Sequence, residues 1–215
     1  GCCTPKPLVD AMVARADELT DVEVIHILTL AEAPYVAPGM EGHFRHRALF
    51  TGGNVREAVN EGRADFVPIH LHEVPSLITG GLMPIDVALV HLSPPDEHGF
   101  CSLGVSVDVT RAAALAAKLL IAQVNRQMPR TLGDSFIHVS KIDAFVEVDY
   151  DLDEFRPEPA TEVERKIGAN VAGVDAQVRG IEGELSSGED AIRISDDVVA
   201  TIEALPQVEY AEGTL

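Results

Sequence analysis

Asp86-Val87-Ala88-Leu89-Val90-His91-Leu92 and Leu119-Leu120-Ile121-Ala122-Gln123-Val124 are two nearly continuous apolar runs. Such runs suit strands buried on both faces, as in a parallel sheet. The Ala-rich stretch Arg111 to Lys118 lies between them and predicts the crossover helix that joins parallel strands. From this centre the alternation extends both ways. Val22 to Leu30, His43 to Phe50, Asp65 to Ile69, Phe136 to Ser140 and Ala144 to Val148 are further strand candidates. Thr51-Gly52-Gly53-Asn54 turns the second of these into a helix running to about Gly62, and a short helix is expected around Val74 to Ile78. Thr4 and Pro5 predict a helix start, with a hydroxyl cap and then a proline. Strands alternating with helices predict an α/β fold: a mostly parallel open sheet with helices on both faces.

The 215 residues carry a formal net charge of -19. A chain this acidic is repelled by phosphate backbones and by anionic membrane surfaces, which argues against nucleic-acid and membrane partners. An anionic ligand needs a local positive patch or a set of backbone N–H groups. Three cysteines, Cys2, Cys3 and Cys101, form neither a disulfide framework nor a C-x-x-C pattern, so a reducing cytoplasm is the expected setting. Cys101 has apolar neighbours and reads as structural rather than nucleophilic.

In open parallel sheets, ligands bind beyond the carboxyl ends of the strands. Two loops qualify. Gly52, Gly53 and Asn54 open a helix whose free N–H groups suit a carboxylate, phosphate or thioester oxygen; the alternative is a plain tight turn. Ser93-Pro94-Pro95-Asp96-Glu97-His98-Gly99-Phe100 follows the most apolar strand. There Asp96 could orient His98 as acid, base or donor, or simply satisfy loop N–H groups in a rigid turn. His43, His46, His70 and His72 invite a metal, with His70 and His72 on one strand face. No H-E-x-x-H accompanies them, and no metal is expected.

Pro94-Pro95-Asp96-Glu97-His98-Gly99-Phe100-Cys101-Ser102-Leu103-Gly104 resembles the S-P-x-D-x-H-G-x-x-S-L-G segment of the acetyl-CoA hydrolase/transferase family. Gly1 to Pro5, Phe50 to Pro68 and Asn125 to Ile142 resemble the same family, which includes 4-hydroxybutyrate and succinyl-CoA:acetate CoA-transferases. The resemblance runs from residue 1 to about Ala172. It implies a class I CoA-transferase fold (NagB/RpiA-like), in which two similar α/β domains face each other across a cleft. It also implies a glutamate that attacks an acyl-CoA, giving an acyl anhydride and then a glutamyl-CoA thioester, from which CoA passes to a small carboxylate such as acetate. Coenzyme A is then a cosubstrate, with no tightly bound cofactor.

The resemblance divides the chain into an amino-terminal CoA-transferase-type domain over 1–172, with one more strand expected before Gly1, and an acidic tail over 173–215. That tail holds ten acidic residues and two arginines, and Ser195 to Leu205 could be helical. Thr161-Glu162-Val163-Glu164 is a capping box, and Val163, Ile167, Val171, Val174 and Val178 follow as an apolar stripe. In the family the catalytic glutamate lies beyond the point matching Ala172. Glu97 is the one glutamate here in a suitable loop, and its candidacy as the nucleophile is weak. The expected function is therefore the amino-terminal half of a CoA-transferase or acetyl-CoA hydrolase, inactive without a second, glutamate-bearing domain or subunit. A noncatalytic binding or interaction module keeping the fold is the alternative, and an ordinary nucleotide-binding α/β domain is a third reading. The stripe that starts at Val163 is expected either to fold back on the first domain or to meet a partner chain, with a homodimer favoured.

Overall fold

A computed structural model of the protein describes residues 3–154, 159, 161–163 and 165–166. The apolar stripe beyond Lys166, the helix expected over 195–205 and the acidic segment 173–215 lie outside the described residues. The fold is carried by the unit Gly1–Phe155.

It is α/β, with parallel strands flanked by helices. In chain order the regular elements are α1 (Lys6–Val13), β1 (Val22–His26), β2 (Phe44–Ala48), α2 (Gly53–Asn60), β3 (Ala64–Phe66), α3 (Val74–Thr79), β4 (Val87–Leu92), β5 (Phe100–Ser102), α4 (Thr110–Ala116), β6 (Leu119–Asn125), β7 (Phe136–His138) and β8 (Ala144–Val148). The strands form three hydrogen-bonded sets. Two are parallel and three-stranded, in the orders β1-β2-β3 and β4-β6-β8. The third is a short antiparallel pair, β5 with β7, that pairs Cys101 with Ile137.

The two apolar runs are neighbouring strands in register, Val87 with Leu119 through Leu92 with Val124. Their middles are buried as expected, with Val90, Leu92, Leu120 and Ala122 almost free of solvent. Cys101, Leu103, Ala114 and Ile137 close over them to form one core cluster. Burying a side chain such as Leu92 contributes roughly 1.5–3 kcal/mol. Two other clusters serve the first sheet. One joins Ala16, Ala33, Tyr35, Phe44 and Val55; the other joins Leu49, Val74, Ile78, Met83 and Val109.

Several local readings need correction. The cap of α1 is Pro5, not Thr4: no side chain caps the helix, and the Thr4 hydroxyl is buried without a protein partner. The strand expected to run to Leu30 ends at His26, and the chain then breaks toward the 3-10 turn Pro34–Val36. His70 and His72 are not on a strand. His72 lies in the 3-10 turn Leu71–Glu73, which His70 caps. β7 falls within the strand expected over Phe136 to Ser140, whereas its antiparallel partner β5 was not anticipated, because a three-residue strand carries too little alternation to register.

Candidate functional site at the carboxyl ends of the strands

The first candidate loop leaves β2 and opens α2. Gly52 is the N-cap residue, and no side chain caps the helix. Its carbonyl accepts from the N–H groups of Val55 (3.3 Å) and Arg56 (3.1 Å). A Cβ on Gly52 would lie 2.9 Å from Asn54 Oδ1 and 3.1 Å from Leu28 Cδ1, so a larger residue would require those two side chains to shift. Gly53 is exposed with nothing near its Cβ position, leaving the helix start open to solvent. Asn54 has a holding role: its Nδ2 donates to Thr29 Oγ1 (2.9 Å) and to the Ala31 carbonyl (2.7 Å). It thereby fixes the segment that follows β1 beside the start of α2.

The second loop is a turn between β4 and β5. Asp96 Oδ1 accepts from the backbone N–H groups of His98 (3.0 Å) and Phe100 (2.8 Å), and Oδ2 pairs with Arg130 at 2.5 Å. These bonds, led by the Phe100 N–H, hold the Asp96 carboxyl below the usual aspartate range. Arg130 also donates to the Phe100 carbonyl (2.8 Å) and stacks over the Phe136 ring (4.6 Å). Gly99 takes a φ of 80°, and a Cβ there would come within 2.9 Å of His138 Nε2. The His98 imidazole projects into solvent, 3.5 Å from an equally exposed Glu97 carboxylate. Asp96 thus grips the backbone of His98 rather than its ring. Behind the turn, Cys101 is buried, and burial pushes its thiol up.

The structure therefore groups Asp96, Glu97, His98 and Gly99 on one turn at the end of β4. It groups Gly52, Gly53 and Asn54 at the end of β2, in the other parallel sheet. Of the four histidines weighed for a metal, His46 is fully buried; its Nδ1 meets the Val24 carbonyl and its ring stacks on His26. His43 Nδ1 meets the Leu19 carbonyl. Among the described residues, no group of three or more His, Cys, Asp or Glu gathers as a metal site would require.

Three polar residues went unremarked in the sequence. His91 and Gln123 are register partners in β4 and β6, and Asn125 ends β6; all three are buried. Gln123 Nε2 donates to the Tyr150 hydroxyl (2.6 Å), and Asn125 Nδ2 donates to the Tyr150 carbonyl (2.8 Å). The signal was present, since His91 and Gln123 are the polar interruptions within the two apolar runs.

The profile of the acetyl-CoA hydrolase/transferase N-terminal domain matches residues 1–154. The chain belongs to this family. It is 50% identical over 170 residues to the 4-hydroxybutyrate coenzyme A transferase of Clostridium kluyveri, covering 79% of this chain and 40% of that protein. It is 47% identical over 174 residues to the succinyl-CoA:acetate/propanoyl-CoA:succinate CoA transferase of Fasciola hepatica, covering 80% and 36%. Among solved structures, RipA from Yersinia pestis superposes with a TM-score of 0.74 at 27% identity, covering 80% of this chain and 43% of that one. The 4-hydroxybutyrate CoA-transferase of Porphyromonas gingivalis gives a TM-score of 0.65 at 32% identity, covering 94% and 51%. The chain thus spans about two-fifths of the length of the curated relatives it matches. No helix among the described residues is long and apolar enough to cross a membrane.

Proposed function

We propose that this family member takes part in moving coenzyme A between an acyl-CoA and a small carboxylate such as acetate, by supplying one wall of the active cleft. The observation that carries this reading is the family match over residues 1–154, with relatives whose names are CoA-transferases. On this wall, the open helix start at Gly52, Gly53 and Asn54 offers N–H groups to a carboxylate or thioester oxygen. The Asp96–His98–Gly99 turn borders the acyl-CoA, with Asp96 as its brace and the exposed His98 ring as its donor. Acyl-CoA and carboxylate are then substrates, and coenzyme A is not a resident cofactor. The nucleophilic glutamate belongs to the second domain that the family resemblance implies, and Glu97 is not it. Against a net charge of -19, local N–H groups are the means by which this surface accepts an anion.

The test is isotopic exchange between acetyl-CoA and labelled acetate. The 215-residue chain alone is expected to give no exchange and at most trace thioester hydrolysis. The same chain joined to the carboxyl-terminal part of a transferase relative is expected to give exchange that Gly53→Pro diminishes. Robust exchange by the chain alone that is lost in Glu97→Gln would overturn the assignment of the nucleophile. A joined protein that folds but neither binds nor exchanges acyl-CoA would overturn the reading itself.

A further inference from the structure

The loop that joins β6 to β7 carries Leu132, whose side chain is 86% exposed. Exposed leucines are common on protein surfaces, so exposure alone assigns nothing. What distinguishes this one is the backbone beside it. The Thr131 N–H donates to the Ser102 hydroxyl (3.1 Å), the Thr131 hydroxyl donates to the Gly104 carbonyl (2.9 Å), and the Thr131 carbonyl accepts from the Ser135 hydroxyl (2.9 Å). Ser102 and Ser135 are both buried, so two interior hydroxyls are spent on fixing the residue before Leu132. Immediately after Leu132, Gly133 takes a φ of 97°, a left-handed conformation that glycine adopts without strain. The leucine is thus presented to water on an anchored backbone, and a ligand that covers it has little backbone ordering to offset.

Its neighbours narrow what that ligand can be. Arg130, two residues before it, is bound to Asp96, which puts the Leu132 loop beside the Asp96 turn at the carboxyl ends of β4 and β6. The Thr131–Gly104 bond brings Val105, 51% exposed, next to the same loop. Asp134, two residues beyond Leu132, pairs with Arg111 at 2.7 Å. The cations on either side of Leu132 are therefore each matched by a carboxylate, and the side chains offered between them are apolar. Such a surface is a poor seat for the phosphates of coenzyme A and a good one for an uncharged hydrocarbon chain, which gains by leaving water.

Resting on the reading of this surface as one wall of an acyl-CoA cleft, we propose that Leu132, with Val105 beside it, receives the hydrocarbon part of the acyl group and thereby sets the preference for acyl chain length.

The joined protein of the exchange test, assayed with acetyl-CoA and with butyryl-CoA against labelled acetate, decides this. Leu132→Ala is expected to lower kcat/KM for butyryl-CoA about three- to tenfold more than for acetyl-CoA, the scale of one or two methylenes losing their contact. Leu132→Met keeps the apolar reach and should hold the ratio within about twofold of wild type. Leu82→Ala should leave both rates unchanged; Leu82 is 81% exposed and precedes β4, away from the carboxyl ends of the strands. An equal fall for both acyl-CoAs in Leu132→Ala would place the leucine against the second domain and overturn the proposal. So would an unchanged or raised ratio, or a wild-type protein that exchanges acetyl-CoA but not butyryl-CoA. A folded wild-type joined protein that exchanges neither would instead overturn the reading of the surface, and this proposal with it.

Discussion

Arg130 meets Asp96 at 2.5 Å across 34 residues of sequence, and the same guanidinium holds the Phe100 carbonyl. One ion pair thus braces the turn after β4 against the segment after β6. Asp96 Oδ1 also accepts from two backbone N–H groups, so the charge and the acceptor geometry separate under mutation. Asp96→Asn retains the Oδ1 acceptor and should lower the urea midpoint slightly. Asp96→Ala should lower it more, because the His98 and Phe100 N–H groups then lose their partner. Equal midpoints for both variants, measured by far-UV circular dichroism, would show that the ion pair alone matters.

Gly53 and Gly99 should respond in opposite ways to alanine. Gly53 has helical surroundings, open space at Cβ and no unusual φ, so Gly53→Ala is expected to leave stability unchanged or raise it by about 0.4–1 kcal/mol. Gly99→Ala meets both a φ of 80° and the His138 ring at 2.9 Å, and should destabilise by roughly 1–3 kcal/mol. Chemical denaturation measures both. A stable Gly53→Ala protein with weakened acyl-CoA binding would then report on the ligand rather than on the fold.

Acid should weaken the protein through two histidines. Burial pushes both His26 and His91 down to about 4, with stacked His46 adding to the effect on His26. In the unfolded chain each titrates near its ordinary 6.5. Between these values the unfolded state holds the proton and the folded state does not, so stability falls as pH drops from about 6.5 to about 4. The slope is at most about 1.4 kcal/mol per pH unit for each histidine, and their part of the curve flattens below about 4. His91→Asn should remove one share of that slope in urea titrations run from pH 7 to 4.

Leu92→Ala should cost about 2–5 kcal/mol, since the side chain is fully enclosed in the core formed by β4, β6, Cys101, Leu103 and Ile137. Leu132→Ala is the control: that side chain is 86% exposed, and the change should stay within about 0.5 kcal/mol. Thermal and urea unfolding of the two variants gives the comparison.

Self-association should strengthen with salt. The charge of -19 opposes contact between copies, and ions screen it over roughly 8–10 Å. Sedimentation velocity at low and high ionic strength is expected to show the dimer gaining; a strict monomer at both would remove it.

The parallel core was legible because buried parallel strands are apolar throughout, and Val87–Leu92 and Leu119–Asn125 carry that pattern. Phe136–His138 was legible as a strand, but its antiparallel partner Phe100–Ser102 was not, since that strand lies within the stretch read as a loop motif. Asp96 was legible as a turn former or a catalytic partner; only coordinates show that its acceptors are used on the backbone and on Arg130. His91 and Gln123 were legible as letters and overlooked as a pair, because register is a property of two strands and not of either run alone.

Ile85 packs against both the core of β4–β6 and the cluster around Val74 and Ile78. No strand ladder joins β1–β2–β3 to β4–β6–β8 among the described residues. The spacing between the Gly52 helix start and the Asp96 turn is therefore set by greasy, non-directional contacts, which tolerate small slips that a hydrogen-bonded ladder would forbid. Exchanging a methyl group at Ile85 would therefore shift the Gly52 and Asp96 loops relative to one another while leaving the residues of both loops unchanged.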